Sequence, residues 1–521
     1  MTNSYLLRGG TVFSGVSPHR SRTDVRIAAG RITEVGASLP AEGSKVVDVE
    51  GLWVTPGFID AHSHADAAAL TGEGMDVRAL SGVTTEIVGQ DGLGLSFAQG
   101  SAHQVMADSL GAIVGQLPEP QFSDTEQYLS CVDRGAFARV ATLVPHGAVR
   151  ATVMGRDLRE AMPKQRTEMR RLLAVGMAQG AVGVSTGLTY APALAASTQE
   201  LIDVTSGLPA DTPYVTHLRS YGAGLDESID EAFDICTKNS LSLHLSHFHV
   251  SGPGRAGSAE QYLQRFQKSS RPVTWDTYPY TAGCTFIGAL LPASVQSNSV
   301  ADLAATLSGG AAASLARELD AVGPGPTVAA GWEAIHIAGL EASPLRSWNY
   351  RSVTDIAEEA NETCGSIILR VFLETAGNAC ILVNQGHPDN IRDLASAPEH
   401  MVGSDGIFGA GMPHPRVANS FFRFLDWANR GVLPVSVEDM VAKMSARTAE
   451  RFALGSGRLA PGQPADVLVI QPDALEEGPE MGQHRPRALY RSFIGGEPVV
   501  VDGSWQGPKL TGLAARRRSL S

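Results

Sequence analysis

Two histidines one residue apart, in Pro56-Gly57-Phe58-Ile59-Asp60-Ala61-His62-Ser63-His64, are the sharpest chemical signal in the chain. On an extended strand His62 and His64 point to the same side, so both imidazoles can grip one metal ion at the strand's end. A lone His-X-His is a short motif and is often no more than an exposed loop. Further candidates fall at the ends of other predicted strands: His217 in Tyr-Val-Thr-His, His247 in Leu-Ser-His-Phe-His, and Asp405 in Val-Gly-Ser-Asp-Gly. Four imidazoles and a carboxylate make a zinc centre, and the chemistry of such a centre is hydrolysis. The ion lowers the pKa of a bound water to about 7 and polarises a carbonyl. The competing reading is that one or two of these histidines are core residues satisfied by backbone.

Residues this far apart in sequence can meet only on a scaffold that gathers strand ends. Short apolar runs at 139–144, 180–185, 214–217, 242–247, 273–278 and 401–404 alternate with helical stretches. The helices are clearest at 164–179, where Met169, Leu172, Leu173 and Met177 recur at helical spacing, and at 437–452. The alternation predicts parallel βα units in an α/β fold, a TIM-like (β/α)8 barrel over 56–454, with its chemistry at the C-terminal strand ends. Residues 1–55 and 455–505 instead read as short strands and Gly-rich turns, including a run at 465–470 and a hairpin at 492–501 around Gly495 and Gly496. They predict one small β-sandwich domain built from both termini. Over 286–349 the rhythm breaks, as expected of a lid insertion within the barrel, and 506–521 reads as a tail. No internal repeat is visible.

Composition narrows the partners. Lys and Arg number 41 against 54 Asp and Glu, a net charge of −13, with no basic stripe except Arg516, Arg517 and Arg518. Nucleic acid is therefore not expected, and the basic triplet reads as a solvated, frayed end. Cys131, Cys236, Cys284, Cys364 and Cys380 are scattered and odd in number, which predicts reduced thiols in place of a disulfide framework. The first residues lack a signal-peptide pattern and no 18-residue apolar run occurs, so the expectation is a cytoplasmic protein with a small-molecule substrate and no membrane partner; an oligomer stays open.

The histidine motif after Pro-Gly-Phe-Ile-Asp, the single histidines on two later strands and the Ser-Asp-Gly turn together resemble the amidohydrolase superfamily. More closely, the chain resembles its D-aminoacylase branch, the N-acyl-D-amino-acid deacylases. The supporting stretches are Gly82–Gly92, His146-Gly147-Ala148-Val149-Arg150, 180–192, Asp276-Thr277-Tyr278-Pro279-Tyr280 and His414-Pro415-Arg416, within a match running from residue 5 to about 504. The resemblance implies a zinc-dependent amide hydrolase acting on a D-amino-acid-like substrate, with metal-activated hydroxide as nucleophile and one or two zinc ions per chain. His217 and His247 would hold the tighter ion. His62 and His64 with Asp405 would form the second position, Asp405 doubling as general base and acid.

Two departures from the family pattern stand out. Asp91 occupies the turn where these enzymes place a cysteine ligand; a carboxylate can still bind or bridge zinc but is harder than a thiolate, and the other reading of Asp91 is an Asx turn before Gly92. His249 stands where the family has a substrate-contacting lysine. Tyr278 and Tyr280 are candidate donors to the oxyanion, strand-end geometry pointing to Tyr280, and packing around proline is the alternative. Arg416 is a candidate partner for a substrate carboxylate, against a structural salt bridge. Arg150 and Tyr190 are candidate pocket residues, against packing. Among other functions, a cyclic-amide hydrolase of the hydantoinase or dihydroorotase type would need a lysine on a barrel strand, and none falls in the predicted strands between 139 and 247. A deaminase fits less of the chain than the stretches above. A catalytically silent metal-binding relative would be expected to lose its acid/base residue first, and Asp405 is retained.

Overall fold

The computed structural model describes residues 4–517 apart from 17, 19, 116, 118–120, 326–327, 509 and 511. Parallel strands form the central ring: Phe58–Asp60, Val83–Val88, Arg139–Thr142 continuing as Val144–Pro145, Val184–Gly187, Pro213–His217, Ser242–Leu245, Val273–Thr277 and His400–Val402. Backbone bonds join the last strand to the first, Ala61 N–H to Val402 O at 3.1 Å and Asp405 N–H to His62 O at 2.8 Å. The ring therefore closes as a barrel. Its floor is plugged by Ile59, Ile87, Ala141, Val182, Val215 and Met401 packed on Phe452. Only the opposite, C-terminal end is open to chemistry.

Both termini contribute to one nine-stranded sheet. Trp53–Pro56 pairs in parallel with Tyr5–Phe13 on one side and antiparallel with Val467–Ile470 on the other, which stitches the two ends of the chain together. The helix expected over 437–452 is two, Val437–Lys443 and Ala446–Arg451, broken at Ser445. The insertion is longer than its irregular sequence suggests. A three-stranded antiparallel sheet of Ala282–Phe286, Ile335–Ala338 and Cys380–Asn384 frames it, so it extends well past 349, and Ile287, Leu319, Ile337, Ile368 and Phe372 give it a core of its own. The tail corrects the expectation of a frayed end. Gly512 and Ala136 exchange backbone bonds, Arg516 pairs with Asp133 at 2.6 Å, and Arg517 N–H bonds Gly180 O. A Cβ on Gly512 would lie 1.7 Å from the Ala138 carbonyl oxygen, so only glycine passes there. Arg518 lies outside the described residues.

One buried ion network ties the first strand to the last. Arg78, fully buried, donates to both carboxylate oxygens of Glu86 at 2.9 Å, to Asp60, and to Val417 O at 2.6 Å. Asp60 in turn accepts from the backbone N–H of His62 at 3.1 Å and of Ser404 at 2.9 Å. Truncating Arg78 would strand two buried carboxylates, so Arg78→Met is expected to cost about 3–5 kcal/mol in a denaturant titration. A loss below about 1 kcal/mol would show that the network is not needed for stability.

Candidate metal centre

The sites lie at the C-terminal strand ends. His62 and His64 follow the first strand, Asp91 sits in the turn after the second, His217 ends the fifth, His247 follows the sixth, and Asp405 follows the eighth. Their ligating atoms fall into two groups, His62, His64, Asp91 and Asp405, and Asp91, His217 and His247, the atoms of each within 4.8 Å of one another. Asp91 belongs to both. Its Oδ1 lies 3.6 Å from His62 Nε2, and its Oδ2 lies 3.7 Å from His64 Nε2, 3.7 Å from His217 Nδ1 and 3.5 Å from His247 Nε2. Asp405 Oδ1 is 3.3 Å from His64 Nε2.

These side chains are aimed by their neighbours. Asp276, which sequence reading passed over as a strand residue, sits 3.4 Å from His62 Nδ1, accepts the His247 backbone N–H at 3.0 Å and is held by His244 Nε2 at 3.0 Å. His217 Nε2 bonds the Thr189 hydroxyl at 3.0 Å, which leaves Nδ1 for the site. The Asp91 turn is clamped by Ser185, whose hydroxyl donates to Gly89 O and accepts Gly92 N–H. A Cβ on Gly187 would meet Asp91 O at 2.0 Å, so the 180–192 stretch serves the turn directly. Asp91, His247 and Asp405 all hold positive φ, at 56°, 33° and 48°. Backbone strain of this kind in non-glycine residues gathers at functional sites, where surrounding contacts over-determine it.

The donor set fits a metal. Buried His62 Nε2 and Asp91 Oδ1 have no hydrogen-bond partner among the described residues, an expensive arrangement unless a cation takes their lone pairs. Electrostatics agree. Burial disfavours an imidazolium at His64, yet hydrogen bonds and charge from Asp405 and Asp91 push its pKa up to about 9. His62 is raised well above the ordinary range against the same burial, by Asp91 and Asp276. Burial would raise Asp91, but the histidines hold it well below the usual carboxylate range.

A pH signature follows. In the metal-free protein a folded His64 pKa near 9 exceeds its unfolded value of 6.5, so folding takes up protons between them. That stability is fully present below 6.5 and is lost as pH rises through 9. Metal needs neutral imidazoles, so its binding strengthens over the same window. Thermal melts from pH 6.5 to 9 should show a metal-induced gain that widens with pH; a constant gap would contradict this assignment of charge.

A cavity of about 100 Å³ opens on these ligands. Tyr190, Tyr221, Tyr278, His249 and Ser251 line it from the barrel, and Gly283, Cys284, Thr285, Ala289, Val328, Val383 and Gln385 from the insertion. The insertion therefore shapes the pocket. Of the two tyrosines, Tyr278 lines the cavity, whereas Tyr280 packs under the Arg423 guanidinium, 4.5 Å from its ring; the preference for Tyr280 is corrected because the chain leaves the strand at Thr277 and turns at Pro279. Arg416 also differs from expectation. Its Nη1 lies 3.0 Å from Asp405 Oδ2, its Nη2 donates to Cys284 O at 2.9 Å, and Tyr278 covers its face at 4.7 Å. It is a buried partner of Asp405, outside the cavity lining. Arg150 is similarly spent, on Glu200 at 2.9 Å and on the carbonyls of Asp157, Pro192 and Arg159. Its partners lie up to 50 residues away in sequence, so the motif alone could not reveal them. His249 faces the cavity, its ring 4.5 Å from Tyr278, and burial pushes its imidazole down to about 3.

A closed αβ barrel whose C-terminal end gathers histidines and aspartates that could hold a metal ion is the architecture of metal-dependent hydrolases. The chain belongs to the amidohydrolase family, whose model matches residues 45–500. It is 29% identical over 518 residues to the D-aminoacylase of Alcaligenes xylosoxydans xylosoxydans, covering 98% of this chain and 96% of that one. With the N-acyl-D-glutamate deacylase of the same organism it shares 27% over 476 residues, 90% of this chain and 88% of the relative. A solved D-aminoacylase with a binuclear metal centre superposes with a TM-score of 0.78 at 27% identity, covering 98% of this chain and 99% of that one.

Proposed function

We propose that this site removes the acyl group from an N-acyl-D-amino-acid-like small molecule, with zinc as the metal. The observation that carries the reading is the convergence of four imidazoles and two carboxylates, one of them shared, with all but His62 lining a single cavity roofed by the insertion. Imidazole and carboxylate donors suit zinc, at one or two ions per chain. When bound, such an ion supplies a nucleophilic water near neutral pH and polarises the scissile carbonyl.

The chain's own residues do the rest. Asp405 presents Oδ1 to the cavity while Arg416 engages Oδ2; burial would raise the carboxyl, but Arg416 and His64 hold it down to about 2. It is thus an ionised acceptor that takes a proton on Oδ1 and readily gives it to the departing amine. Tyr278, which lines the cavity and whose hydroxyl lies beside Gly283 of the lining, is the candidate donor to the developing oxyanion. Tyr190 and Tyr221 pack on His217, at 4.9 and 5.0 Å, and keep the ligands dry. No helix among the described residues is long and apolar enough to cross a membrane, and the five cysteines stand as free thiols, in keeping with a cytoplasmic setting. The test is acyl release from matched N-acyl D- and L-amino acids and their blocked derivatives by zinc-loaded protein. D-selective release supports the assignment; metal bound without turnover of any compound would favour a silent relative.

A further inference from the structure

The strands that carry His217 and His247 separate where the two ligands begin. The parallel ladder between the fifth and sixth strands ends with Thr216 beside Leu245 and a bond from Ser246 N–H to Thr216 O at 3.0 Å. Among the described residues, no backbone bond joins the two segments beyond that rung. On their outer sides both ligands are braced. Leu188 N–H donates to His217 O at 3.3 Å, and Asp276 accepts His247 N–H on Oδ1 at 3.0 Å and Phe248 N–H on its carbonyl at 2.8 Å.

The seam between the ligands is closed by Tyr221. Its hydroxyl accepts Leu218 N–H and donates to Ser246 O, each at 3.1 Å, so it holds the residue after one ligand against the residue before the other. Its ring fills the same seam, nearly perpendicular to the His217 ring at 5.0 Å and tilted against the His247 ring at 5.3 Å. The turn that presents it is fixed by the Ser220 hydroxyl, which accepts Gly222 N–H at 3.2 Å. We propose that Tyr221 is a positioning residue that stands in for the missing rung. Its hydroxyl bridge sets the separation of His217 and His247, and with it the affinity of the Asp91, His217 and His247 group for a metal ion, while contributing no ligand atom. The inference requires that the centre bind a metal and does not depend on which amide it cleaves.

The test is zinc affinity, read without turnover by competition with a chromophoric chelator, for wild type, Tyr221→Phe and Tyr214→Phe. Phenylalanine keeps the ring between the two imidazoles and deletes only the bridge. Tyr214 lies on the same strand as His217 and is also buried, but its hydroxyl accepts from Thr186 at 3.0 Å instead of joining the ligand segments. Its loss reports what removing a buried hydroxyl does in general. Tyr221→Phe should weaken the binding of at least one zinc ion by about tenfold or more, the lower end of the effect of losing an outer-shell partner, and Tyr214→Phe should leave it unmoved. A smaller shift, or an equal one in Tyr214→Phe, overturns the inference; the hydrolase reading stands or falls separately, on acyl release by the wild type. Hydrogen exchange of the metal-free wild type is a second measurement that needs no variant to fold. A protected Leu218 amide supports the bridge, and one that exchanges as freely as an open loop overturns it.

Discussion

Replacing Asp405 by asparagine is expected to lower kcat by about 10³-fold, with a much smaller change in KM, because the substitution keeps the shape and removes the proton acceptor. The geometry makes the two oxygens unequal. Oδ2 is 3.0 Å from Arg416 Nη1 and is committed, whereas Oδ1 faces His64 Nε2 at 3.3 Å and the cavity. An asparagine can keep one contact but cannot take a proton. His217 and His247 lie in the other ligand group, which does not include Asp405, so that half of the site should still take up metal. Elemental analysis alongside single-turnover kinetics separates the two effects. Retained metal with lost turnover supports the proton role; full activity would assign the acid/base work to another group, and complete loss of metal would make Asp405 a ligand first.

The centre was readable from sequence where its residues fall at or just past the ends of apolar strand runs. His62 and His64 lie two residues apart just past the end of the first strand, and His217 and Asp405 belong to apolar runs or the turns that end them, so a barrel reading alone places them together. It was unreadable where a side chain's direction depends on distant partners. Arg416 follows Pro415 at the start of the helix Arg416–Asn429, and nothing local says that its guanidinium turns to Asp405 and Cys284 O. Asp276 looks like any polar strand residue until His244, from the neighbouring strand, meets it at 3.0 Å. The insertion was underestimated for the same reason: Ala282–Phe286 pairs with Cys380–Asn384 across about a hundred residues, and antiparallel pairing of that range leaves no local periodic trace. The docked tail depends on Ala136, Val140 and Gly180, edges that exist only once the barrel has formed.

Asp91, shared between the two ligand groups, is where a single substitution should do most to the metal. Because both ligand groups contain it, Asp91→Ala removes a donor from each and leaves four imidazoles without their common anion. Metal affinity should fall by on the order of 10²-fold or more, beyond the 10–100-fold typical of losing an outer-shell partner, and turnover should fall with it. An Asx-turn role predicts the opposite: normal metal content, with only a stability loss from the turn before Gly92. Asp91→Cys is the sharper comparison. A thiolate is the softer donor, so the variant should hold zinc at least as well as the native protein while binding manganese worse, and the zinc-to-manganese preference should rise. If that preference does not move, Asp91 does not touch the ion. The strained φ of 56° at Asp91 and the Ser185 clamp would then need another explanation than presenting a carboxylate to metal.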